Sequence, residues 1–419
     1  MSEHTPNENQ LTPPAEENNG GRRAMLAGIG GLAAGALLTG RAQAGPLDPP
    51  PGPIASTGKP LTEVEPRIAI NSTNTPGDAT SRFRITQPGS YYLTGNITGL
   101  VGQHGISIAA SGVTIDLSGF LLRGLGTIQG NFNGVYAEGG TEGITVRNGH
   151  VKVMGGAGIE LFTASRCLVE DVNVHLCLAS GIRCGEYGRV SRCAAIQNTL
   201  TGISVARGTT VEDCTASNNG SRGISGGFNA EALIVRCVAQ DNGEHGIWAG
   251  TGSSVIDCVS SQNAMDGLNA TASLVSNCVA RGNGASGITA ILSSVLNCKS
   301  RFNDEHGIRA TSDCQIIGNN CESNGVTLVD GAGIFVSDSG NRIESNHCTK
   351  NDRGISVTGA RNLIIRNTCA GNTGLNWSLA NNNHYGPIVN RVGVGTGAVS
   401  GNFSPSSLES TDPHANFTY

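Results

Sequence analysis

The chain has little from which to build an ordinary globular core. Its 419 residues include only two Trp, six Tyr and nine Phe, and 14% are charged. With a net charge of −5, it offers neither a basic footprint for nucleic acid nor a long acidic tail. The units described below lack any ten-residue stretch of 3.6 periodicity, which excludes helical solenoids. Leucine is too sparse for leucine-rich repeats, and the units fall short of the ~40 residues of a propeller blade. No HExxH motif, nucleophile elbow or phosphate-binding glycine loop occurs. Past the N-terminal region, no apolar run reaches the ~18 residues of a membrane span. What abounds is glycine, 61 residues, without the every-third-residue register of collagen. An apolar content of 38% is too high for a wholly disordered chain.

The N-terminus reads as an address. Residues 1–21 are polar, followed by Arg22-Arg23, an apolar run from Ala24 to Gly40, Arg41, and Ala42-Gln43-Ala44. A charged start, an apolar middle and an A-x-A end make a secretory signal. The stretch Gly21-Arg22-Arg23-Ala24-Met25-Leu26 resembles a twin-arginine export signal, without its leading Ser/Thr and trailing Lys. An uncleaved anchor is the alternative, and the run is at the short limit for one. The expectation is an export signal over 1–44, a proline-rich stiff linker over 45–66, and a mature protein in the periplasm or outside the cell, free of the membrane once the signal is removed.

The rest is a repeat. Gly followed by Ile, Val or Leu recurs at Gly105, Gly134, Gly158, Gly181, Gly202, Gly223, Gly246, Gly267, Gly287, Gly307, Gly333 and Gly354. A Cys follows most of these pairs (Cys193, Cys214, Cys237, Cys258, Cys278, Cys298, Cys321, Cys348, Cys369), and then an Asn: Asn198, Asn218, Asn242, Asn263, Asn283, Asn303, Asn324, Asn351, Asn372. Short Val-, Ile-, Thr- and Ser-rich strands punctuated by Gly and Asn at this period match one coil of a right-handed parallel β-helix. The pattern Asn-x-x-x-Gly-Ile with an upstream apolar pair resembles the parallel β-helix proteins of the pectate-lyase-like group, over roughly residues 100–390. The predicted fold is all-β: a single-domain right-handed parallel β-helix solenoid of about 12 coils, roughly 55 Å long at the strand spacing. The repeats span 105–374, between an N-terminal cap at 67–104 and a C-terminal cap or tail at 375–419. Such caps cover open sheet edges; Trp377, Tyr385, Phe403, Phe417 and Tyr419 gather at the second.

Stacking turns the marks into columns. An Asn per coil can bond its own backbone and the Asn above, and Gly supplies backbone freedom where the chain leaves that turn. Thirteen Cys in an exported chain would ordinarily suggest disulfides. One Cys per coil instead forms an inward column of packed thiols, and a straight column cannot offer four tetrahedral ligands to a metal. The off-column Cys167, Cys177, Cys184 and Cys314 are the better candidates for a bridge.

Chemistry is sought in outward columns. The residue before the repeat Gly places Arg222, His245 and Asp266 on consecutive coils, about 5 Å apart. Arg could hold an acidic sugar, His could move a proton, and Asp could tune its pKa; a plain exposed polar column is the alternative. Glu244-His245-Gly246-Ile247 recurs as Glu305-His306-Gly307-Ile308, three coils on and too far away to share a metal. The residue before the column Cys alternates Arg192, Asp213, Arg236, Asp257. Because side chains alternate with period two, a bend must expose that position. A salt-bridge ladder and a polymer-binding strip are both open to it.

The candidate catalytic residues are therefore Arg222, His245 and Asp266, and the candidate substrate-binding residues Arg236, Asp257 and His306, with no metal or cofactor. The resemblance implies a polysaccharide partner, bound and perhaps cleaved or epimerised by lyase, hydrolase or epimerase chemistry; the superfold alone does not select among them. The other reading is a non-catalytic structural or adhesive surface protein.

Overall fold

A computed structural model describes residues 66–327, 331–392 and 410–419. The expected export signal, nearly all of the linker and Phe403 lie outside the described residues. One coil shows how the sequence winds. Leu268–Thr271 forms a first wall, Leu274–Ser276 a second and Val279–Arg281 a third, before the chain returns to the first wall at Ile288–Ile291. The residue that opens each corner is left-handed: Ala272 (φ 47), Asn277 (φ 55) and Gly282 (φ 63). A single left-handed residue swings the strand and brings two successive side chains inward, resolving the alternation problem at V-x-x-C. Many corner residues are not glycine (Arg192, Asp213, Arg236, Asp257, Leu292 and Phe302 among them), and each costs about 1 kcal/mol of backbone strain.

All strands of the repeat pair in parallel. The first wall is one sheet of 14 strands, and the second and third walls together make a sheet of 28. The first wall exceeds the expected 12 coils because Ser81–Ile85 and Leu375–Leu379, in segments expected to be caps, pair as its end strands. Beyond the last full coil, Asn416–Thr418 pairs with Thr368–Ala370 on the third wall, and Trp377 Nε1 donates to Thr418 Oγ1 at 2.6 Å. Among the described residues, the one helical element is a 3-10 turn at Gly126–Gln129, and no helix is long and apolar enough to cross a membrane.

The core is a set of files. Ile182, Ile203, Ile224, Ile247, Leu268, Ile288 and Ile308 lie in register along the first wall, all at most 1% exposed. Val211, Ile234, Val255, Val275 and Val295 form a second file, and the third wall contributes small residues such as Ala216, Ala239 and Ala280. No coil buries enough to stand alone, so stability resides in the stacking.

The repeat glycine has a different reason from the one expected. Its φ is not left-handed; the constraint is close approach. A Cβ on Gly267 would lie 2.6 Å from Asn283 Nδ2 and 2.7 Å from the Gly287 carbonyl oxygen. Replacing Gly267 by Ala is thus expected to cost about 2 kcal/mol through overpacking, read as a lower midpoint in urea unfolding.

The third corner holds the asparagine ladder. Each Oδ1 accepts the backbone N–H and usually the side-chain Nδ2 of the Asn one coil before, as from Asn242 to Asn263 at 3.1 and 2.9 Å. The member between Asn198 and Asn242 is Asn219, not Asn218: Asn198 N donates to Asn219 Oδ1 at 3.1 Å, while Asn218 is the left-handed residue before it (φ 56). The nine cysteines divide into two files. Cys193, Cys214, Cys237, Cys258, Cys278 and Cys298 stand at the second corner. Cys321, Cys348 and Cys369 lie on the third wall in register with Ser300.

The corner thiols also act as polar groups. Cys237 N donates to Cys258 Sγ at 3.4 Å, and Cys258 Sγ donates to Ile256 O at 3.2 Å. The file then passes into asparagine, with Cys298 N donating to Asn319 Oδ1 at 2.8 Å. It is a sulfur form of the ladder. All thirteen cysteines are buried and free, including the four proposed for bridging: Cys177 heads the asparagine file, donating its N–H to Asn198 Oδ1, and burial pushes its thiol up to about 12.

Candidate functional site on the first wall

The residues before the repeat glycine do form a column. Gly202 N–H donates to Arg222 O at 2.9 Å, Gly223 N–H to His245 O at 3.1 Å, and Gly246 N–H to Asp266 O at 3.0 Å. Arg222, His245 and Asp266 are therefore neighbours on three consecutive coils. Several polar members of this column cap the next coil. His104 Nδ1 accepts the Asn133 N–H (2.9 Å), Asn133 Oδ1 the Ala157 N–H (2.8 Å), Asp266 Oδ1 the Ser286 N–H (3.1 Å) and His306 Nδ1 the Ala332 N–H (3.0 Å).

His245 departs from this pattern. Its Nδ1 is buried without a hydrogen-bond partner among the described residues and lies 3.5 Å from Asp266 Oδ2. That oxygen also accepts Asn269 Nδ2 at 3.0 Å. Burial holds the His245 imidazole below its ordinary pKa; the Asp266 and Glu244 carboxylates oppose this, and the Arg222 charge adds to it. The ring is neutral at pH 7. In the tautomer that carries its proton on Nδ1, facing Asp266 at 3.5 Å, the Nε2 lone pair is free to act as a base.

Arg222 contributes more than charge. Its guanidinium carbon sits 3.9 Å from the centroid of the Trp248 ring, a cation–π contact, and its Nε is 3.3 Å from a Glu244 carboxylate oxygen. Phe228 stands edge-on to Trp248, centroids 5.8 Å apart, and is 86% exposed. Trp248 projects from the outer face of the first wall one coil beyond Arg222. The same diagonal joins His104 to Tyr136 (4.4 Å) and His306 to Phe335 (4.5 Å). The sequence reading missed these aromatics.

A break in the repeat produces the local shape. Gly226-Gly227-Phe228-Asn229 widens the corner before this coil, and the first-wall register slips between Trp248 and Gly250. A bulge of this kind re-aims a side chain. The signal was present as the two residues by which the Gly223–Gly246 spacing exceeds those on either side of it and as an aromatic between small residues.

The other candidates lie elsewhere. Arg236 and Asp257 open the second corner, on a different edge. Arg236 is held by Asp213 at 2.7 and 2.8 Å, as Arg192 is by Asp171 at 2.8 Å; these are separate exposed pairs that solvent screens, and Asp257 makes no ion pair among the described residues. His306 shares the column with Asp266, with Ser286 between them, and its Nδ1 is committed to backbone. No group of three His, Cys, Asp or Glu suited to a metal ion occurs among the described residues.

A family model described as the right handed beta helix region matches residues 89–231 and 226–373. No curated protein matches the chain. Among solved structures, the chain is similar to the A-module of the Azotobacter vinelandii mannuronan C-5 epimerase AlgE4 (16% identity, 71% of this chain and 90% of that one, TM-score 0.43). It is similar also to a double mutant of the periplasmic alginate epimerase AlgG (13% identity, 67% and 75%, TM-score 0.48). A third likeness is to the Dettilon tailspike protein (14% identity, 69% and 58%, TM-score 0.37).

Proposed function

Since the chain belongs to the right-handed β-helix family, we propose that it is an exported protein, periplasmic or extracellular, that binds a polysaccharide across its first wall at Arg222, His245, Asp266, Trp248 and Phe228. The observation that carries this reading is the exposed Phe228 ring set edge-on to Trp248, which holds the Arg222 guanidinium one coil from His245 and two from Asp266. Phe228 offers an exposed ring for a sugar face to stack on. Arg222, stiffened against Trp248, offers a guanidinium to a sugar carboxylate. Neutral His245, with Asp266 behind Nδ1, can accept a proton at Nε2.

That set favours removal of a proton next to a carboxylate, the step that opens both lyase and epimerase reactions. A hydrolase needs two carboxyl groups facing each other across the bond, and both oxygens of Asp266 are engaged within the fold. The non-catalytic reading, an adhesive surface protein, draws on the exposure of Phe228, which stands out from the wall.

The test is a panel of alginate, polygalacturonate and a neutral glucan offered to the purified protein, following binding and the appearance of unsaturated uronic ends or inverted sugars. Arg222→Ala and Phe228→Ala are expected to weaken binding about tenfold or more. His245→Ala is expected to retain binding and lose about 10²–10⁴ in turnover. Binding without turnover selects the adhesive reading; no binding to any polymer, or binding indifferent to Arg222 and Phe228, overturns the site.

A further inference from the structure

A second surface lies on the third wall. Three hollows of about 510, 310 and 510 Å³ follow one another from Gln240 to Tyr419. The first two share Val279 and Arg301, and the second and third share Asn320 and Glu322. They therefore make one shallow groove along the axis. Left-handed corner residues give it a rim: Phe302 (φ 56) and Lys350 (φ 56) project there, and Phe302 is 42% exposed.

The groove is basic. Arg281 and Arg301 stand in register on adjacent coils, in line with Val279 and Lys299, and their guanidinium carbons lie 5.7 and 5.9 Å from the Phe302 ring centroid. Arg281, Lys299 and Arg301 make no ion pair among the described residues, whereas elsewhere on the rod the arginines at the second corner each have a carboxylate. The one acid in the groove, Glu322, is taken by Lys350 at 2.9 Å. In a chain of net charge −5, a groove lined by Arg281, Lys299, Arg301 and Lys350 against the single carboxylate of Glu322, which stands in register beside Arg301, concentrates anions there. Their stacking repeats at the coil spacing of about 4.8 Å, which suits a linear anion lying along the axis. Gln240, Ser261 and Gln262 supply amide and hydroxyl partners for sugar hydroxyls. Nucleic acid is the less fitting polyanion, because a strand needs a stacking ring for successive bases, whereas Phe302 lines the first hollow, Tyr419 and His347 the third, and no aromatic the second.

We propose that this groove is a second binding site, for an acidic glycan strand bearing carboxylate or sulfate groups, separate from the first-wall site; it shares with the first-wall reading only the class of polymer. The double variant Arg281→Gln/Arg301→Gln removes both clamp charges at exposed positions, and its folding is checked by thermal unfolding. The probes are polygalacturonate for carboxylate, dextran sulfate for sulfate, neutral dextran, and oligo-dT. The wild type is expected to bind one or both acidic glycans in a salt-dependent manner and to leave dextran unbound. The double variant should bind at least tenfold more weakly, with a slope of log affinity against log salt smaller by about 2. Arg166→Gln, at an exposed arginine outside the groove that is paired with Glu142 at 2.9 Å, should leave that slope unchanged. Equal affinity of the double variant and the wild type for both acidic glycans overturns the proposal even if the first-wall site stands. So does binding to oligo-dT as tight as to the glycans, which would assign the groove to nucleic acid.

Discussion

Asn263→Ala is expected to lower the stability of the central coils by about 3–5 kcal/mol. Asn263 is 1% exposed. Its Oδ1 accepts the backbone and side-chain N–H groups of Asn242, and its Nδ2 donates to Ala239 O, Ser260 Oγ and Asn283 Oδ1. Each bond contributes about 1 kcal/mol net, and every buried group orphaned by the change adds about 1–3 kcal/mol. Alanine removes both acceptor bonds and both Nδ2 donors, whose two hydrogens are shared among three acceptors, and leaves the Asn242 N–H facing a void. Because coils interact chiefly with their neighbours, the loss should concentrate near residues 240–285, where amide hydrogen exchange would show it. Asn372→Ala gives the control: the ladder ends there, the residue is half-exposed, and a loss of about 1–2 kcal/mol is expected from its fewer bonds. A loss under 1 kcal/mol at Asn263 would show that the ladder follows the fold instead of supporting it.

Acid should loosen the rod through His306. Burial pushes this imidazole down to about 4, with a further contribution from the Arg309 charge. Its ring stacks on Phe335 at 4.5 Å, and its Nδ1 accepts the Ala332 N–H, which a protonated ring could not do. In the unfolded chain the same group titrates near 6.5, so between the two values the unfolded state binds more protons. Stability from this residue is complete above about pH 6.5 and falls as pH drops toward 4, by about 3 kcal/mol at most. His306→Asn should flatten that slope, because Asn133 shows an asparagine capping the next coil from the same column. Urea midpoints from pH 7 to pH 4 check it; parallel curves for wild type and variant would count against it.

The columns were legible in the sequence wherever one residue type repeats at a constrained position. The isoleucines after the glycines queue as read, and Arg222, His245 and Asp266 are the neighbours that the spacing implied. Errors arose where two adjacent residues compete for one file. Asn218 and Asn219 are identical in composition, and only the backbone decides which turns inward. Cys298 and Cys321 look like successive members of one series, yet Asn319 continues the corner file and Cys321 begins another on the third wall. The glycine was assigned to backbone freedom because composition cannot separate a left-handed φ from a crowded Cα. Trp248 was missed for a geometric reason: its contact with Arg222 is diagonal, between different columns of different coils, and depends on stagger that periodicity does not carry. The basic groove stayed hidden likewise, since Arg281 joins Arg301 and Phe302 only once the coils stack in register.

The file of thiols also bears on how the molecule comes apart. From Cys167 to Cys369 nearly every turn carries a sulfur sealed beneath one neighbour and above the next, with no disulfide tying one level to another. Nothing covalent thus prevents unzipping from either tip, and each level that opens would bare its own reactive atom in succession. The rod carries graduations along its length, by which the depth of fraying could be counted.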